Sequence, residues 1–178
     1  MDASGQPCIE VTGAADPALC RWLQGELARA AAGVRSAEGN HVHVARMSVR
    51  IVGDAQMSQL HERHSGIAGT TDVLTFVGGP APLGAEAARG ELRAESCAHD
   101  GALEIDAAIC MDEAARRCGE FGHGIREELL LYAVHALLHA VGFDDAAPDQ
   151  HARMHAEEDR LLQHLGHGTL YSGRGRAA

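Results

Sequence analysis

Lysine is absent from the chain: all fifteen basic residues are arginine, set against 25 acidic ones, for a formal net charge of -10. That balance favours solubility and works mildly against a nucleic-acid substrate, because such binders usually concentrate positive charge on one face. Distribution matters more than the sum, however, and arginine pairs with phosphate through two parallel hydrogen bonds. Exclusive use of arginine reads as nucleotide composition rather than as a binding device. The five cysteines (Cys8, Cys20, Cys97, Cys110, Cys118) include no CxxC pair. Their odd number argues against a disulfide framework, and they read as reduced, mostly buried thiols. No apolar run reaches the roughly 18 residues that a membrane span needs, and the first residues lack the charged and apolar regions of a secretion signal. The expectation is a cytoplasmic protein with no membrane partner.

What is present suits one ordinary domain over 1–178, since 178 residues with 46% apolar content can bury a core without staples. Asp16-Pro17 opens a helix with Leu19, Leu23 and Leu27 on one face and Gly33 as its stop. "HVHVARMSVRIVGD" reads as a strand, Val49 and Ile51 on one side and Arg50 on the other. "DAQMSQLHERH" reads as a short helix capped by Asp54, with Met57 and Leu60 facing the core. "TDVLTFV" and "LEIDAAIC" are further strands, and "CIEVT" near the N-terminus is a fourth if it pairs. Residues 78–100 lack a sustained apolar period and read as a mobile insertion able to cover a cleft. "MDEAARRCGEFG" is a helix closed by glycine. "GIREELLLYAVHALLHAV" is apolar on all sides and belongs at the centre of the fold. Pro148 opens a last helix to about Leu165, and 167–178 read as a frayed tail. The fold class expected is α+β: a small mixed sheet of about four strands packed against several helices.

The central helix carries the chemistry. His135 and His139 are four apart, so both imidazoles stack on one helical face and can address one point in space. Gly142 follows where a residue without Cβ can swing the chain back, which lets Asp144 or Asp145 supply a third ligand. Two imidazoles and a carboxylate leave a fourth tetrahedral position for water, the arrangement of a catalytic zinc rather than a closed structural one. His-x-x-x-His alone is weakly specific in a chain with 12 histidines; the downstream Gly and Asp sharpen it. The general-base Glu of His-Glu-x-x-His peptidases is missing, its place taken by Ala136.

"HALLHAVGFDD" resembles the H-G-x-L-H-L-x-G-Y-D-H signature of the YbeY family, metal-dependent endoribonucleases that mature ribosomal RNA, and "TTDVLTF" resembles its "PTDVLSF". The order of segments matches from about Val42 to Tyr171. The resemblance implies one zinc ion held by His135, His139 and Asp145, the last standing where the family has histidine. It implies a substrate of ribosomal RNA on the small ribosomal subunit, in the company of ribosome-assembly proteins. Carboxylate oxygen coordinates zinc as imidazole does, but its charge weakens the Lewis acidity of the metal. His151 and His155 are alternative ligands, although the first turns of a helix more often face solvent. The family's "YRG" arginine falls on Ser65, with Arg63 two residues earlier as a substitute phosphate contact; loss of the guanidinium removes a bidentate clamp. Asp144 is the candidate for proton transfer, with a turn-capping role equally open. Asp106 matches the acidic residue of the family's "GDI" strand and would orient the site from the sheet edge, whereas Thr71 and Asp72 fix a loop into a strand. Two other readings stay open: a metal hydrolase with a non-RNA substrate such as a peptide, and a ribosome-associated binding factor with weakened chemistry.

Overall fold

The computed structural model describes residues 6–78 and 102–170. The expected insertion, apart from Gly78, and the expected tail beyond Leu170 lie outside the described residues, as does Cys97.

Four strands and five helices follow the order β1 (Cys8–Gly13), α1 (Pro17–Gly33), β2 (His43–Val52), α2 (Asp54–Ser65), β3 (Val73–Val77), β4 (Ala102–Cys110), α3 (Met111–Phe121), α4 (Ile125–Ala140) and α5 (Pro148–Leu165). The sheet runs β1-β2-β4-β3. β1, β2 and β4 are parallel and β3 is antiparallel to β4, so the sheet is mixed and the fold is α+β. β1 ends against β2 at Gly13, whose φ of 113° and contact with the Ile51 carbonyl, 2.1 Å from where a Cβ would lie, admit only glycine.

Strand alternation sorts the sheet into two faces. Met47, Val49 and Ile51 of β2 pair in register with Ile105, Ala107 and Ile109 of β4, and all six are buried in the main core with α1, α4 and α5. The opposite face carries Val52, Ala108 and Cys110, covered by Met57 of α2, with Leu60 partly buried beside them. α1 begins as its sequence predicts, with the Asp16 carboxylate accepting the Ala18 N–H at 2.8 Å, and buries Leu19, Leu23 and Leu27. α2 does not. Its N-cap is Gly53, without a side-chain cap, and Asp54 reaches away to Arg116 at 2.7 Å.

α4 is buried on every side, including Leu129, Leu130, Ala133, Val134, Ala136, Leu137 and Leu138. Each buried leucine contributes roughly 1.5–3 kcal/mol of transfer free energy, so this helix is anchored more firmly than any surface element. A rigid central helix is what a metal site needs from its scaffold. Among the described residues no helix is long and apolar enough to cross a membrane. Among the described residues the four thiols are free and only Cys110 is fully buried; Cys20 and Cys118 are half-buried and Cys8 is exposed, because it lies on the edge strand β1. At the C-terminal end of α5, His167 packs edge-on against Trp22 and Leu170 is buried, so the first residues after the helix are tied to α1.

Candidate metal centre

His135 and His139 lie on the last turns of α4, and the helix stops one residue later. Gly142 takes φ 94°, its N–H bonds the His139 carbonyl, and the Phe143 N–H bonds the Leu138 carbonyl at 3.0 Å. The chain therefore doubles back over the histidines. The Asp144 carboxylate accepts the N–H groups of Asp145 (2.8 Å) and Ala146 (3.2 Å), a turn that aims Asp145 inward. Asp145 places one oxygen 3.8 Å from His135 Nε2 and the other 3.8 Å from His139 Nε2. Among the described residues, His135, His139 and Asp145 are the one group of three or more such side chains able to share an ion, their ligand atoms lying within 4.8 Å of one another.

The hydrogen bonds around the two imidazoles decide what faces what. His135 Nδ1 is 2.6 Å from Glu158 Oε1, and His139 Nδ1 is 3.1 Å from the Phe143 carbonyl oxygen. Both partners are acceptors, so both Nδ1 atoms donate. The two Nε2 atoms then meet at 3.0 Å with only lone pairs to offer. Something positive must lie between them, either a proton on one ring or a cation bound by both. Ligand atoms about 2.0–2.2 Å from a tetrahedral zinc stand roughly 3.3–3.6 Å apart. The observed 3.0 and 3.8 Å separations bracket that spacing, and the donor set fits the ion.

Charge reinforces the arrangement. Glu158, 1% exposed, would have its carboxyl pushed up by burial, but hydrogen bonds and charges from His135 and His155 outweigh this and hold it below the usual range. For His135 burial pulls downward, while the Glu158 bond and charge, helped by Asp72 and Asp145, leave it raised. Burial and the neighbouring His135 hold His139 down. A proton shared between the two rings is therefore favoured on His135 over His139.

Three residues named from sequence fall elsewhere. Asp106 lies on the sheet face opposite α4, bonded to Arg46 at 3.3 Å, on a strand that is central and not at the edge. It therefore orients nothing at the histidines. Arg63 and Ser65 are exposed on the last turn of α2, and neither makes a hydrogen bond or ion pair with the trio among the described residues. Asp72 accepts the Val73 N–H at 2.9 Å and the Thr71 hydroxyl at 3.1 Å, as a loop-fixing residue should, yet its charge also reaches His135. His155 is turned inward rather than to solvent. Glu158 escaped notice, although two buried acids, Glu158 and Asp159, between Met154 and Leu161–Leu162 on α5 are a readable anomaly.

The fold and the cluster define a class by geometry: an α+β domain whose central helix sets two imidazoles beside a turn-borne carboxylate, a trio able to share an ion. The family model described as Endoribonuclease YbeY matches residues 21–166, and the chain belongs to the YbeY family. Relatives named Endoribonuclease YbeY include those of Beutenbergia cavernae (37% identical over 126 residues, 68% of this chain and 76% of that one) and Thermobifida fusca (35% over 121 residues, 67% and 71%). Another is that of Corynebacterium kroppenstedtii (34% over 118 residues), where the match covers 66% of this chain but only 55% of the relative. The solution structure of TM1509 from Thermotoga maritima shares the fold, with a TM-score of 0.51 at 18% identity over 89% of this chain and 91% of that one.

Proposed function

We propose that this chain is a zinc-dependent, single-strand-specific endoribonuclease acting in ribosomal RNA maturation and ribosome quality control. Its setting is the cytoplasm, on the small ribosomal subunit alongside ribosome-assembly proteins. Two imidazoles with committed Nδ1–H groups, facing each other across 3.0 Å beside a carboxylate, carry the reading. A bound zinc ion would supply Lewis acidity toward a phosphoryl oxygen.

The chain's own residues divide the remaining work. His135, His139 and Asp145 hold the ion, and Glu158 keeps His135 in the tautomer that presents Nε2. Asp144 shapes the turn through one oxygen, and its exposed carboxylate, next in sequence to Asp145, would be the group that takes a proton. Arg63 and Ser65 offer exposed donors to RNA phosphate.

The test is cleavage of a single-stranded RNA by the purified protein, stripped with a chelator and reloaded with zinc. Cleavage should vanish on stripping, return on reloading, and be at background in His135→Ala. Cleavage indifferent to both treatments would overturn the proposal. A reloaded protein that cuts a peptide library and spares RNA would select a non-RNA hydrolase, and ribosome co-sedimentation that ignores the chelator, without cleavage, would select a binding factor.

A further inference from the structure

The first two turns of α5 repeat the pattern found on α4. His151 and His155 are also four apart, their rings cross at 74° with centroids 4.2 Å apart, and their Nε2 atoms meet at 3.1 Å. The α4 pair crosses at 88° with centroids 4.5 Å apart. Glu158 serves both: Oε1 takes the His135 Nδ1–H and Oε2 the His155 Nδ1–H, the latter at 2.5 Å. Donation from Nδ1 leaves His155 with a lone pair on Nε2, aimed at His151.

We propose that His151 and His155 form a second site for a divalent transition-metal ion, tied to the first through Glu158. The ligand atoms are two imidazole nitrogens on one helix face, which suits borderline ions such as Zn2+, Ni2+ or Cu2+ and not Mg2+ or Ca2+, whose preferred ligands are oxygens. Among the described residues no third His, Cys or carboxylate groups with this pair, so the two imidazoles are the ligands the proposal rests on. His151 is exposed, which gives an ion direct access, while His155 is packed beside His135 with ring centroids 6.3 Å apart. The buried carboxylate orients a ligand of each pair, so it acts as a common outer partner for two ions.

Equilibrium dialysis of the full chain against Zn2+, with bound metal quantified, tests this. Two equivalents are expected for the native chain and one for the double variant His151→Gln, His155→Gln. The single change His151→Gln leaves the Glu158 contacts intact and keeps the test valid if the double variant is unstable; it should weaken the second equivalent by about tenfold or more. A count that falls with the α5 variants but not with His135→Gln, His139→Gln would uphold this site while sinking the first. One equivalent in the native chain, or a second that survives both α5 variants undiminished, overturns the proposal.

Discussion

At the scale of single residues the candidate centre turns on Glu158. A carboxylate 1% exposed is tolerated because each oxygen accepts a hydrogen bond from an imidazole that can carry the compensating charge. Glu158→Gln leaves one acceptor oxygen for two N–H groups, so one imidazole loses its orienting partner. Zinc affinity at the α4 pair should fall about 10- to 100-fold, read by competition with a chromophoric chelator; an unchanged affinity would reduce Glu158 to a packing role. The same contact sets the pH response. His135 holds its proton to higher pH than free histidine, and the ion must displace that proton. Zinc affinity therefore rises with pH until the raised His135 value is passed and then levels. At pH 7 binding should release protons, seen as a calorimetric heat that differs between buffers of different ionisation enthalpy.

At the scale of elements, the turn after α4 brings the Asp145 carboxylate back to the histidines at the helix end. Gly142 has φ 94° with nothing within 4 Å of an added Cβ, so Gly142→Ala brings backbone strain without a clash. The cost should be about 1–2 kcal/mol, lowering the melting temperature by a few degrees, and Asp145 should lose its aim, with weaker zinc binding as the second readout. Elsewhere α2 and α3 are clipped together by Asp54 and Arg116, which holds the Asp54 carboxyl down to about 2. A depressed carboxylate contributes stability above its unfolded value and loses it as pH falls through the folded one. The deficit of Arg116→Gln in urea unfolding should therefore be present at pH 7 and shrink between about pH 4 and 2. That clip also marks what sequence does not reveal. Asp54 looks like a cap because local spacing is all that a sequence displays, and its partner lies 62 residues away. α1, β2, α4 and α5 were legible because their apolar periods and Pro or Gly boundaries are local. The trio was legible for the same reason, being confined to eleven consecutive residues, His135 to Asp145. Asp106 shows the other limit: its alternation with Ile105 and Ala107 is visible, but which face of β4 the histidine helix covers is a tertiary fact.

At the scale of the whole molecule, the proposed RNA substrate would have to be recognised by a chain with net charge -10 through a few local cations. Many of its arginines are already committed: Arg29, Arg46, Arg116, Arg117 and Arg160 each pair with one or more carboxylates. Their charges are largely cancelled where they stand. Arg63 differs, being exposed on the last turn of α2 with no ion pair among the described residues. If it contacts RNA phosphate, each such contact releases condensed counterions, and the dependence of log affinity on log salt steepens by about 0.7 per phosphate on a single strand. Fluorescence anisotropy with a labelled single-stranded RNA between about 50 and 200 mM salt reads that slope directly. Arg63→Ala should weaken binding to a similar degree for all sequences and flatten the slope by about one contact. Because overall repulsion leaves few contacts to begin with, removal of one should be a large share of the total. A slope that does not move would take Arg63 out of the RNA path and shift recognition to the residues around the metal centre.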